Sequence, residues 1–416
     1  MNKRFLLTAG LIFGVVLAGC SNGTANSSDQ TTLTYFSTAT TESDKKAIQD
    51  AVKAFEEKHP DIDIEDNYPA EGYEDMMRVK MAADDMPDLF DTHGWSKQRY
   101  GEYTADLSDM DWVDRLDPAL DEILKDDDGK VYAYPLNQAK DGINYNATLF
   151  EEYGIEPPTT FEEFMSSMEV IKEESDGEVT PLWINGSDKS AFGQYFDQFA
   201  TPLLVTDEKN NYEESLLDGT FDWSHYTYLP EKLKEMQDKD LLNKDVVTAQ
   251  IEQRDQLMAQ GKIGYVFGGG SIGPAVESLN PDVKVGVIPM PVIHKGDEQS
   301  WIGGERHTVA IAHNTEFEEE AQTFIEFLAE PEMAKKIAEG TSLPAGLKDV
   351  DADNYFAEDY ETYSDVVVQP YFDRVYLPSG MWDVMGSTGQ ELLSGSMTPE
   401  DVSEKMSEEY SRLREE

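Results

Sequence analysis

Short β-favouring runs alternate with amphipathic helical segments along the chain, and this alternation restricts the fold more than any other feature. Leu33 to Phe36 is a β-favouring run, and the helix after it carries Ile48, Val52 and Phe55 on one face. Asp61 to Ile64 then alternates polar and apolar residues, as a second strand does. Strands that alternate with helices predict an α/β sheet.

The same alternation continues in the second half of the chain. Thr160 and Glu163 form a capping box, which predicts the start of a helix. The apolar face of this helix is predicted to consist of Phe161, Phe164, Met165, Met168 and Ile171. Further along, a strand ending at Phe267 runs into the glycine loop Gly268 to Gly270. Trp301 to Arg306 is predicted to be a second glycine loop, with a strand beyond it from His307 to Ala312.

Length and composition indicate a large folded protein. The chain has 416 residues, of which 39% are hydrophobic, with 18 Phe, 20 Tyr and 6 Trp. This is sufficient for two or three domains with well-filled cores. The single cysteine is Cys20, near the N-terminus, so the rest of the chain contains no disulfide and packing must stabilise it.

The N-terminal segment has the anatomy of an export signal. Lys3 and Arg4 precede an apolar run from Phe5 to Ala18. A spanning helix needs about 20 apolar residues, and here polar residues follow the run directly. We therefore expect residues 1–19 to be a signal peptide that is removed on export.

The end of this segment predicts a lipid anchor. Leu17-Ala18-Gly19-Cys20 resembles the lipobox of bacterial lipoproteins, in which the cysteine thiol receives a diacylglycerol. Two acyl chains give lasting attachment to a membrane. We expect Cys20 to be lipidated, residues 20–32 to form a polar tether, and the protein to be held extracytoplasmically at the cell membrane.

The charge of the chain excludes one class of partner. Its formal net charge is −51, from 84 acidic and 33 basic residues spread along the sequence. Phosphate groups would be repelled, so nucleic acid is excluded as a partner. Anionic lipid headgroups would be repelled as well, so membrane attachment must depend on the acyl group at Cys20.

Neither a metal nor a cofactor is expected. The sequence has no HExxH motif, and its six histidines are scattered without metal-ligand spacing. The acidic run Asp126 to Gly129 could be mistaken for a calcium loop, but Leu124 occupies the first ligand position and Pro135 the last. We predict a hairpin turn there instead.

Several ordered segments carry a family resemblance. They are Phe55-Glu56-Glu57-Lys58-His59-Pro60, Pro87-Asp88-Leu89-Phe90, Gly129-Lys130-Val131-Tyr132-Ala133-Tyr134-Pro135, Asn144-Tyr145-Asn146-Ala147-Thr148-Leu149-Phe150, Gly154-Ile155 with Pro157-Pro158-Thr159-Thr160-Phe161, the glycine loop after Gly261-Lys262, and Phe327-Leu328 with Pro331-Glu332. Each is weak alone and specific in this order. Together they resemble the extracellular solute-binding proteins of ABC importers, specifically the carbohydrate-binding group that includes maltose-binding protein, over nearly the whole mature chain.

The resemblance implies an α/β fold of two lobes, the type II periplasmic-binding-protein-like fold, with ligand in the cleft between them. The hinge crossings are expected near 138–142, 301–304 and 349–360. The N-terminal lobe is expected to comprise 33–138 plus 304–349, and the C-terminal lobe 139–303 plus 350–416. Each lobe is thus discontinuous in sequence.

A sugar presents hydroxyl groups at its rim and C–H bonds on its faces, so its site needs aromatic platforms and short polar side chains. Four tryptophans lie beside turns or glycine loops where a cleft would open: Trp95, Trp183, Trp301 and Trp382. By position, Trp382 and Tyr195 resemble the family's stacking aromatics best. The remaining substrate-binding candidates are Gly270, Ser271, Glu305 and Arg306, although relatives often place a tryptophan in the loop that contains Gly270.

An enzymatic alternative rests on one motif. Gly269-Gly270-Ser271-Ile272-Gly273 matches G-x-S-x-G after a strand, the context of the nucleophile elbow of an α/β-hydrolase. Acidic and histidine candidates follow in the required order: Asp282 or Asp297, then His307 or His313. However, little sheet-forming sequence remains after Ser271, and the glycines are explained by close backbone approach to a ligand.

The resemblance therefore implies binding without turnover, and the chain is expected not to be an enzyme. A sugar or oligosaccharide would be captured in the interlobe cleft and delivered to a membrane permease. The expected partners are the carbohydrate ligand, the permease and ATPase subunits of an ABC importer, and the membrane through the lipid anchor. The secreted serine hydrolase with Ser271 as nucleophile is the alternative.

Overall fold

The computed structural model of the chain describes residues 30–69, 72–126 and 128–415. The strands are β1 (Thr31–Phe36), β2 (Ile62–Asn67), β3 (Leu89–Phe90), β4 (Tyr134–Asp141), β5 (Ile143–Asn146), β6 (Thr180–Trp183), β7 (Ile263–Phe267), β8 (Val285–Ile288), β9 (Trp301–Ile311) and β10 (Val368–Pro370). The helices are α1 (Glu42–Lys58), α2 (Tyr73–Ala83), α3 (Asp121–Leu124), α4 (Ala147–Tyr153), α5 (Phe161–Glu174), α6 (Ser190–Leu204), α7 (Glu213–Asp218), α8 (Tyr228–Asp238), α9 (Arg254–Ala259), α10 (Ile272–Leu279), α11 (Glu318–Leu328), α12 (Pro331–Thr341), α13 (Ala357–Thr362), α14 (Phe372–Tyr376), α15 (Met381–Ser394) and α16 (Pro399–Glu415).

The first sheet has the strand order β10-β9-β3-β1-β2, and β4 also pairs with β9. β1 runs parallel to both β2 and β3, whereas β9 runs antiparallel to β3 and β4. The helix α1 packs in the same core because Ile48, Val52 and Phe55 form its buried face. This is the face that the helical period predicts.

The second sheet has four strands in the order β6-β7-β5-β8, with β6 parallel to β7. The helix α5 packs in the core around it, and all five residues predicted for its apolar face are buried. The predicted capping box is confirmed, since the Thr160 hydroxyl accepts from the Glu163 amide and the Glu163 carboxylate accepts from the Thr160 amide. The sequence pattern therefore predicts this helix from its first residue.

The hydrophobic core is divided between the two sheets. One cluster, around the first sheet, draws its residues from 33–136 and 309–347. A second large cluster draws from 139–302 and 371–410, and a third packs beside β6, β7 and β8. The molecule therefore has two lobes, called here the first lobe and the second lobe, and each is built from separate stretches of the chain.

The strands β4 and β9 pass between the lobes as an antiparallel pair. On β4, Leu136 belongs to the first-lobe core and Ala139 to the second. Gly303 and Gly304 on β9 lie opposite Lys140 and Ala139. A Cβ at residue 303 would collide with the Ala139 carbonyl, and Gly304 has φ +143°, which side chains rarely adopt. Glycine at both positions thus permits the close approach of the crossing strands. The prediction of a loop from Trp301 to Arg306 is wrong, because these residues form the first part of β9, which pairs with β4.

The N-terminal region is predicted to contain a signal peptide, a lipidated cysteine and a polar tether. β1 begins at Thr31, so the predicted tether of residues 20–32 extends too far and its last two residues belong to the sheet. The predicted signal peptide, residues 1–19, and the predicted lipidation site Cys20 lie outside the described residues. No helix within the described ranges is long and apolar enough to cross a membrane.

The acidic segment at Asp126 forms a turn, as predicted. The Asp126 carboxylate accepts hydrogen bonds from the amides of Asp128 and Lys130 at 3.0 and 2.9 Å. Lys125 and Val131 form a β-bridge on either side of it. Among the described residues, no group of three or more His, Cys, Asp or Glu side chains is placed to hold a metal ion.

Candidate ligand-binding cleft

The loops at the carboxyl ends of the parallel strands in both sheets border the space between the lobes. Trp95, in the loop after β3, lies 5.2 Å from the guanidinium of Arg374 on α14. Arg99 donates from Nη2 to the Ser379 hydroxyl at 2.8 Å. In open α/β sheets, ligands bind in the crevice outside the carboxyl ends of the strands. The cleft between the lobes is therefore the candidate site.

The first-lobe wall of the cleft is fixed by the buried carboxylate of Asp91. It accepts hydrogen bonds from the Thr38 hydroxyl, the His93 amide, and both the amide and hydroxyl of Thr308. His307 Nδ1 lies 3.3 Å from Asp91 Oδ2. Burial alone would raise the pKa of Asp91, but the hydrogen bond and charge of His307 lower it to about 2. One carboxylate thus connects the loops after β1 and β3 to β9.

Trp95 is half-buried at the edge of this wall, and its ring contacts one arginine from each lobe. The guanidinium of Arg99, from the first lobe, lies 4.0 Å from the ring centre, and that of Arg374, from the second lobe, lies 5.2 Å away. Cations over an indole face are attracted by its quadrupole. Trp95 therefore lies at the candidate cleft with two arginines against its ring, and its role in ligand binding stays a prediction.

The second-lobe wall contains a cavity of about 190 Å³ at the carboxyl ends of β6 and β7. Its lining includes Trp183, Asn185, Asp188, Gln194, Arg254 and Phe267. This mixture of aromatic faces with amide, carboxylate and guanidinium groups is suited to a polar ligand with apolar faces. The volume is below the roughly 300–1,000 Å³ of pockets for drug-sized molecules, so it accommodates one end of a larger ligand.

Trp382 lies near this cavity, at the second position of α15. It is half-buried, and a Cβ on Gly193 of α6 would lie only 3.2 Å from its ring. The absence of a side chain at Gly193 thus leaves room for the indole one residue from the cavity-lining Gln194. An ion pair between Lys189 and Asp383 at 3.2 Å joins the starts of α6 and α15 beside it. This position is compatible with the stacking role predicted for Trp382.

Two aromatic candidates are core residues in this structure. Tyr195 is fully buried, its ring packs against Phe196 and Phe199, and its hydroxyl donates to the Leu229 carbonyl at 3.0 Å. Trp301 is 1% exposed and packs against tyrosines of α13 and the residue that follows it. Neither ring has a face open to a ligand, so packing in the interior outweighs the positional resemblance that suggested Tyr195 and the neighbouring glycine pair that suggested Trp301.

Gly270 and Ser271 follow β7 and border the first lobe. A Cβ at residue 270 would collide with the carbonyl of Ser342, which ends α12. Ser271 is partly exposed at the N-cap of α10, and its side chain makes no capping hydrogen bond. The loop therefore approaches the opposite lobe through its backbone, while the predicted approach to a ligand stays a prediction.

The arrangement around Ser271 does not assemble a catalytic triad. His307 lies on β9 with its imidazole between the carboxylates of Asp91 and Asp44. His313 lies at the far end of the first sheet, 4.0 Å from Asp84. Among the described residues, neither histidine is hydrogen-bonded to Ser271. The hydrolase alternative has no support from this geometry.

Glu305 lies on β9 at the floor of the cleft and is fully buried. Burial raises its pKa to about 7, against the opposing charge of Arg374. Ser96 donates to its Oε1 at 3.3 Å. The neighbouring Arg306 acts on Asp141: burial raises the pKa of that carboxyl, and the arginine charge opposes the rise.

The sequence pattern did not single out Arg374, Gln194 or Arg254, which all line cavities in the cleft. The only available signal was the scarcity of basic residues, 33 against 84 acids, which makes an arginine between two tyrosines in Tyr371 to Tyr376 unusual. Gln194 and Arg254 lie within helical segments, where no local feature distinguishes a cleft residue from a surface residue.

The fold and the cleft agree with the known relatives of this sequence. Residues 38–335 match the family of bacterial extracellular solute-binding proteins. The chain belongs to this family, whose members capture solutes outside the cytoplasm. The predicted class, a sugar-capturing component of an ABC importer that is not an enzyme, is confirmed, and the serine hydrolase alternative is not supported.

Individual relatives are similar over almost the whole length. The melibiose/raffinose/stachyose-binding protein MelE of Bacillus subtilis is 52% identical over 416 residues, covering 100% of this chain and 97% of its own. A Bacillus subtilis binding protein solved in an open conformation has a TM-score of 0.90 at 54% identity, covering 93% of this chain and 98% of its own. A sugar transporter protein of Bacillus licheniformis solved with stachyose has a TM-score of 0.85 at 58% identity, covering 92% and 100%.

Proposed function

We propose that this protein captures neutral oligosaccharides of the melibiose, raffinose and stachyose group. The observation that carries the proposal is the 52% identity, over the full length of the chain, to a protein named for these three sugars. These sugars share a terminal galactosyl ring and differ in length. A site for them must bind one ring tightly and tolerate extension at the other end.

The chemistry of the cleft supports a sugar over a charged solute. The second-lobe cavity presents Trp183 and Phe267 beside Asn185 and Gln194, and both signs of charge, Asp188 and Arg254, border it. Amide, carboxylate and guanidinium groups can form hydrogen bonds with the hydroxyl groups of a sugar, and aromatic faces can pack against the C–H faces of its rings. A site with both charges has no net attraction for an ion.

The proposed contacts are a subset of those expected from the sequence. They are Trp95, Trp183, Gly270, Ser271, Glu305 and Trp382, with Gln194, Arg254 and Arg374 added from the cleft geometry. Trp382, which is half-buried, would stack on a ring face in the second lobe, whereas Trp183 is only 4% exposed and would bound the cavity without stacking. Gly270 would let the backbone of the loop after β7 approach the ligand.

Capture would proceed by closure of the cleft without chemical change. A ligand that contacts both walls only when the lobes are together binds the closed form more tightly and shifts the population towards it. The closed form is then the state that a permease would recognise. An affinity near the micromolar range, about −8 kcal/mol, is expected for scavenging.

The wider arrangement is proposed as follows. The lobes divide at 138/139, 303/304 and 349/350. The membership of the hydrophobic core clusters supports these boundaries. It changes from one lobe to the other between Leu136 and Ala139, between Ile302 and Val309, and between Leu347 and Phe356. Lipidation at Cys20 tethers the protein to the outer face of the cell membrane. The permease and ATPase subunits of an ABC importer are the proposed protein partners.

Raffinose, stachyose and melibiose are expected to raise the melting temperature of the purified protein by several degrees at saturating concentration. A ligand at about 100 times its Kd stabilises by about 2.7 kcal/mol, because only the folded state binds it. Thermal unfolding with each sugar, and with maltotriose as a control of similar size, measures the effect. Stabilisation by maltotriose but by none of the three galactosides would reject the proposed ligand class.

Trp382→Ala is expected to weaken raffinose binding about tenfold, because an aromatic face contributes about 0.5–1.5 kcal/mol beyond the area it buries. Titration calorimetry with raffinose measures the change. Trp382→Phe, which keeps a flat ring, should recover most of the affinity. A matched control is Trp223→Phe, in the second-lobe core away from the cleft, which should leave Kd unchanged. Equal affinity of wild type and Trp382→Ala would exclude a stacking role.

A further inference from the structure

A small cavity lies at the floor of the cleft, where the loop after β3, the strand β9 and the helix α14 meet. Its volume is about 20 Å³. Gly94 and Lys97 line it from the first lobe, Glu305 from β9, and Tyr371 and Arg374 from the second lobe. A space of this size holds one water-sized group. A single hydroxyl group fits, whereas a sugar ring does not.

Two buried polar atoms at this cavity have no hydrogen-bond partner within the described protein. They are Oε2 of Glu305 and Nη1 of Arg374. The Glu305 side chain is fully buried, and its other oxygen, Oε1, already accepts from Ser96. Buried polar atoms are almost always paired, so each unpaired one requires an explanation. The two residues do not form an ion pair with each other, and the cavity borders both.

The side chains around Arg374 fix the orientation of its guanidinium group. Its guanidinium lies 4.0 Å from the ring centre of Tyr371 and 5.2 Å from that of Trp95. A Cβ at residue 94 would collide with Nη1, so glycine at that position permits the guanidinium to lie where it does. Two rings, one from each lobe, thus orient the guanidinium, and Nη1 remains available.

The two unpaired atoms are chemically complementary to a hydroxyl group. A carboxylate only accepts hydrogen bonds, and a guanidinium only donates them. A hydroxyl group between them donates to Oε2 and accepts from Nη1, so both charge-assisted bonds form at once. A carbonyl oxygen or an ammonium group would satisfy only one of the two.

We propose that Glu305 and Arg374 are specificity-determining residues that together bind one hydroxyl group of the captured oligosaccharide. The inference rests on the proposed function and deepens it, since it assigns one ligand group to two of the contacts proposed above. Arg374 belongs to the second lobe and Gly94 to the first, so the cavity between them forms only when the lobes are close. Binding of this hydroxyl therefore favours closure.

The charged groups around Glu305 determine the expected effect of pH. Arg374 faces it from α14, Lys97 lines the same cavity, and Asp91 approaches it from the loop after β3. With a pKa of about 7 in this arrangement of the lobes, Glu305 is largely neutral at pH 6 and ionised at pH 8. The ionised carboxylate accepts a hydrogen bond from the hydroxyl group better than the neutral carboxyl does. The affinity for the sugar is therefore expected to be highest above pH 7 and to decline as the pH falls through 7.

The first test is calorimetric titration of raffinose and stachyose into the full-length protein and two variants. Glu305→Gln keeps the size of the side chain but replaces an acceptor by a donor, and Arg374→Lys keeps the charge but loses the fork geometry. Each variant is expected to bind both sugars at least about tenfold more weakly, one tenfold step being the loss of one modest contact.

Arg115→Lys provides a matched control. Arg115 also has a buried nitrogen without a partner, Nη2, but it bonds to Asp349 and the Ala329 carbonyl, away from the cleft. The Arg115→Lys variant should have a lower melting temperature than the wild type, with unchanged Kd values for raffinose and stachyose. If Glu305→Gln and Arg374→Lys behave in the same way as this control, the two atoms serve only the ligand-free structure and the proposal is overturned.

The second test uses the wild-type protein and does not depend on a variant that folds. If only the carboxylate form binds, Kd at pH 6 is about tenfold higher than at pH 8, one unit on either side of the pKa. This pH dependence should be absent in Glu305→Gln, which excludes the nearby Asp91 and His93 as its source. A pH-independent Kd in the wild type, or the same pH dependence in the variant, would refute the assignment.

These outcomes separate the inference from the function on which it rests. If the wild type binds neither raffinose nor stachyose at any pH, the proposed ligand class fails, and the assignment fails with it. If the wild type binds both and the two variants bind equally well, only the assignment of the hydroxyl to Glu305 and Arg374 fails.

Discussion

An Asp91→Ala variant is expected to lose about 3–5 kcal/mol of unfolding free energy, the cost of removing one partner from a buried charge network. The carboxylate is fully buried and accepts hydrogen bonds from Thr38, His93 and Thr308. Its removal deprives the His93 and Thr308 amides of their acceptor and leaves His307 with only the Asp44 carboxylate as a counter-charge. Chemical denaturation of both proteins at pH 7 measures the difference.

The sign of the pH dependence follows from the lowered pKa of Asp91. Its contribution is complete above the ordinary value of 3.8 and is lost as the pH falls towards 2. The difference between wild type and Asp91→Ala should therefore narrow below pH 4. Asp85→Ala is the matched control, since its carboxylate is 82% exposed, and it should change stability by less than about 0.5 kcal/mol. A comparable loss in both variants would show that the network is not the source of the stability.

Gly270→Ala is expected to weaken sugar binding by about 10- to 100-fold while changing the stability of the ligand-free protein little. The new Cβ would collide with the Ser342 carbonyl of the opposite lobe, and overpacking of this kind costs about 1–3 kcal/mol. The clash is between the lobes rather than within one, so separation of the lobes relieves it. The cost therefore falls on the closed form, which is the form that binds.

Gly269→Ala tests the same loop without the clash. An added Cβ at residue 269 has no heavy atom within 4 Å, and the φ of this residue is not in the left-handed region. Its Kd for raffinose, measured in the same titration, should equal that of the wild type. If both variants weaken binding equally, loss of loop flexibility and not the interlobe contact is responsible, and the closing role of Gly270 is refuted.

The sequence predicts the elements of the fold well because their signals are local. The apolar face and capping box of α5 lie within 14 residues and depend on a helical period and one pair of hydrogen bonds. The glycine content of the loop after β7 likewise indicates close backbone approach, and in the structure Gly270 approaches the opposite lobe. Two aromatic residues were wrongly assigned to the cleft, Tyr195 from its position in the family pattern and Trp301 from its place beside two glycines, and both are buried in the core.

The candidate site is less accessible to sequence reasoning, because its residues are distant in the chain. Gly94, Glu305 and Arg374 come from three separate stretches and meet at one cavity. No periodicity links residues separated by more than 200 positions. Arg374 is also indistinguishable in sequence from an exposed arginine, and only the rings of Trp95 and Tyr371 around it identify its role.

The sequence by itself determined the alternating strands and helices, the capping of α5 and the family to which the chain belongs. It did so because each depends on residues that are neighbours in the chain or on an ordered series of local segments. The tertiary structure alone decided which tryptophans line the cleft and that a buried carboxylate and a guanidinium are left unpaired at its floor. Burial and hydrogen-bond satisfaction are properties of the packed lobes, and they arise only when segments hundreds of residues apart come together.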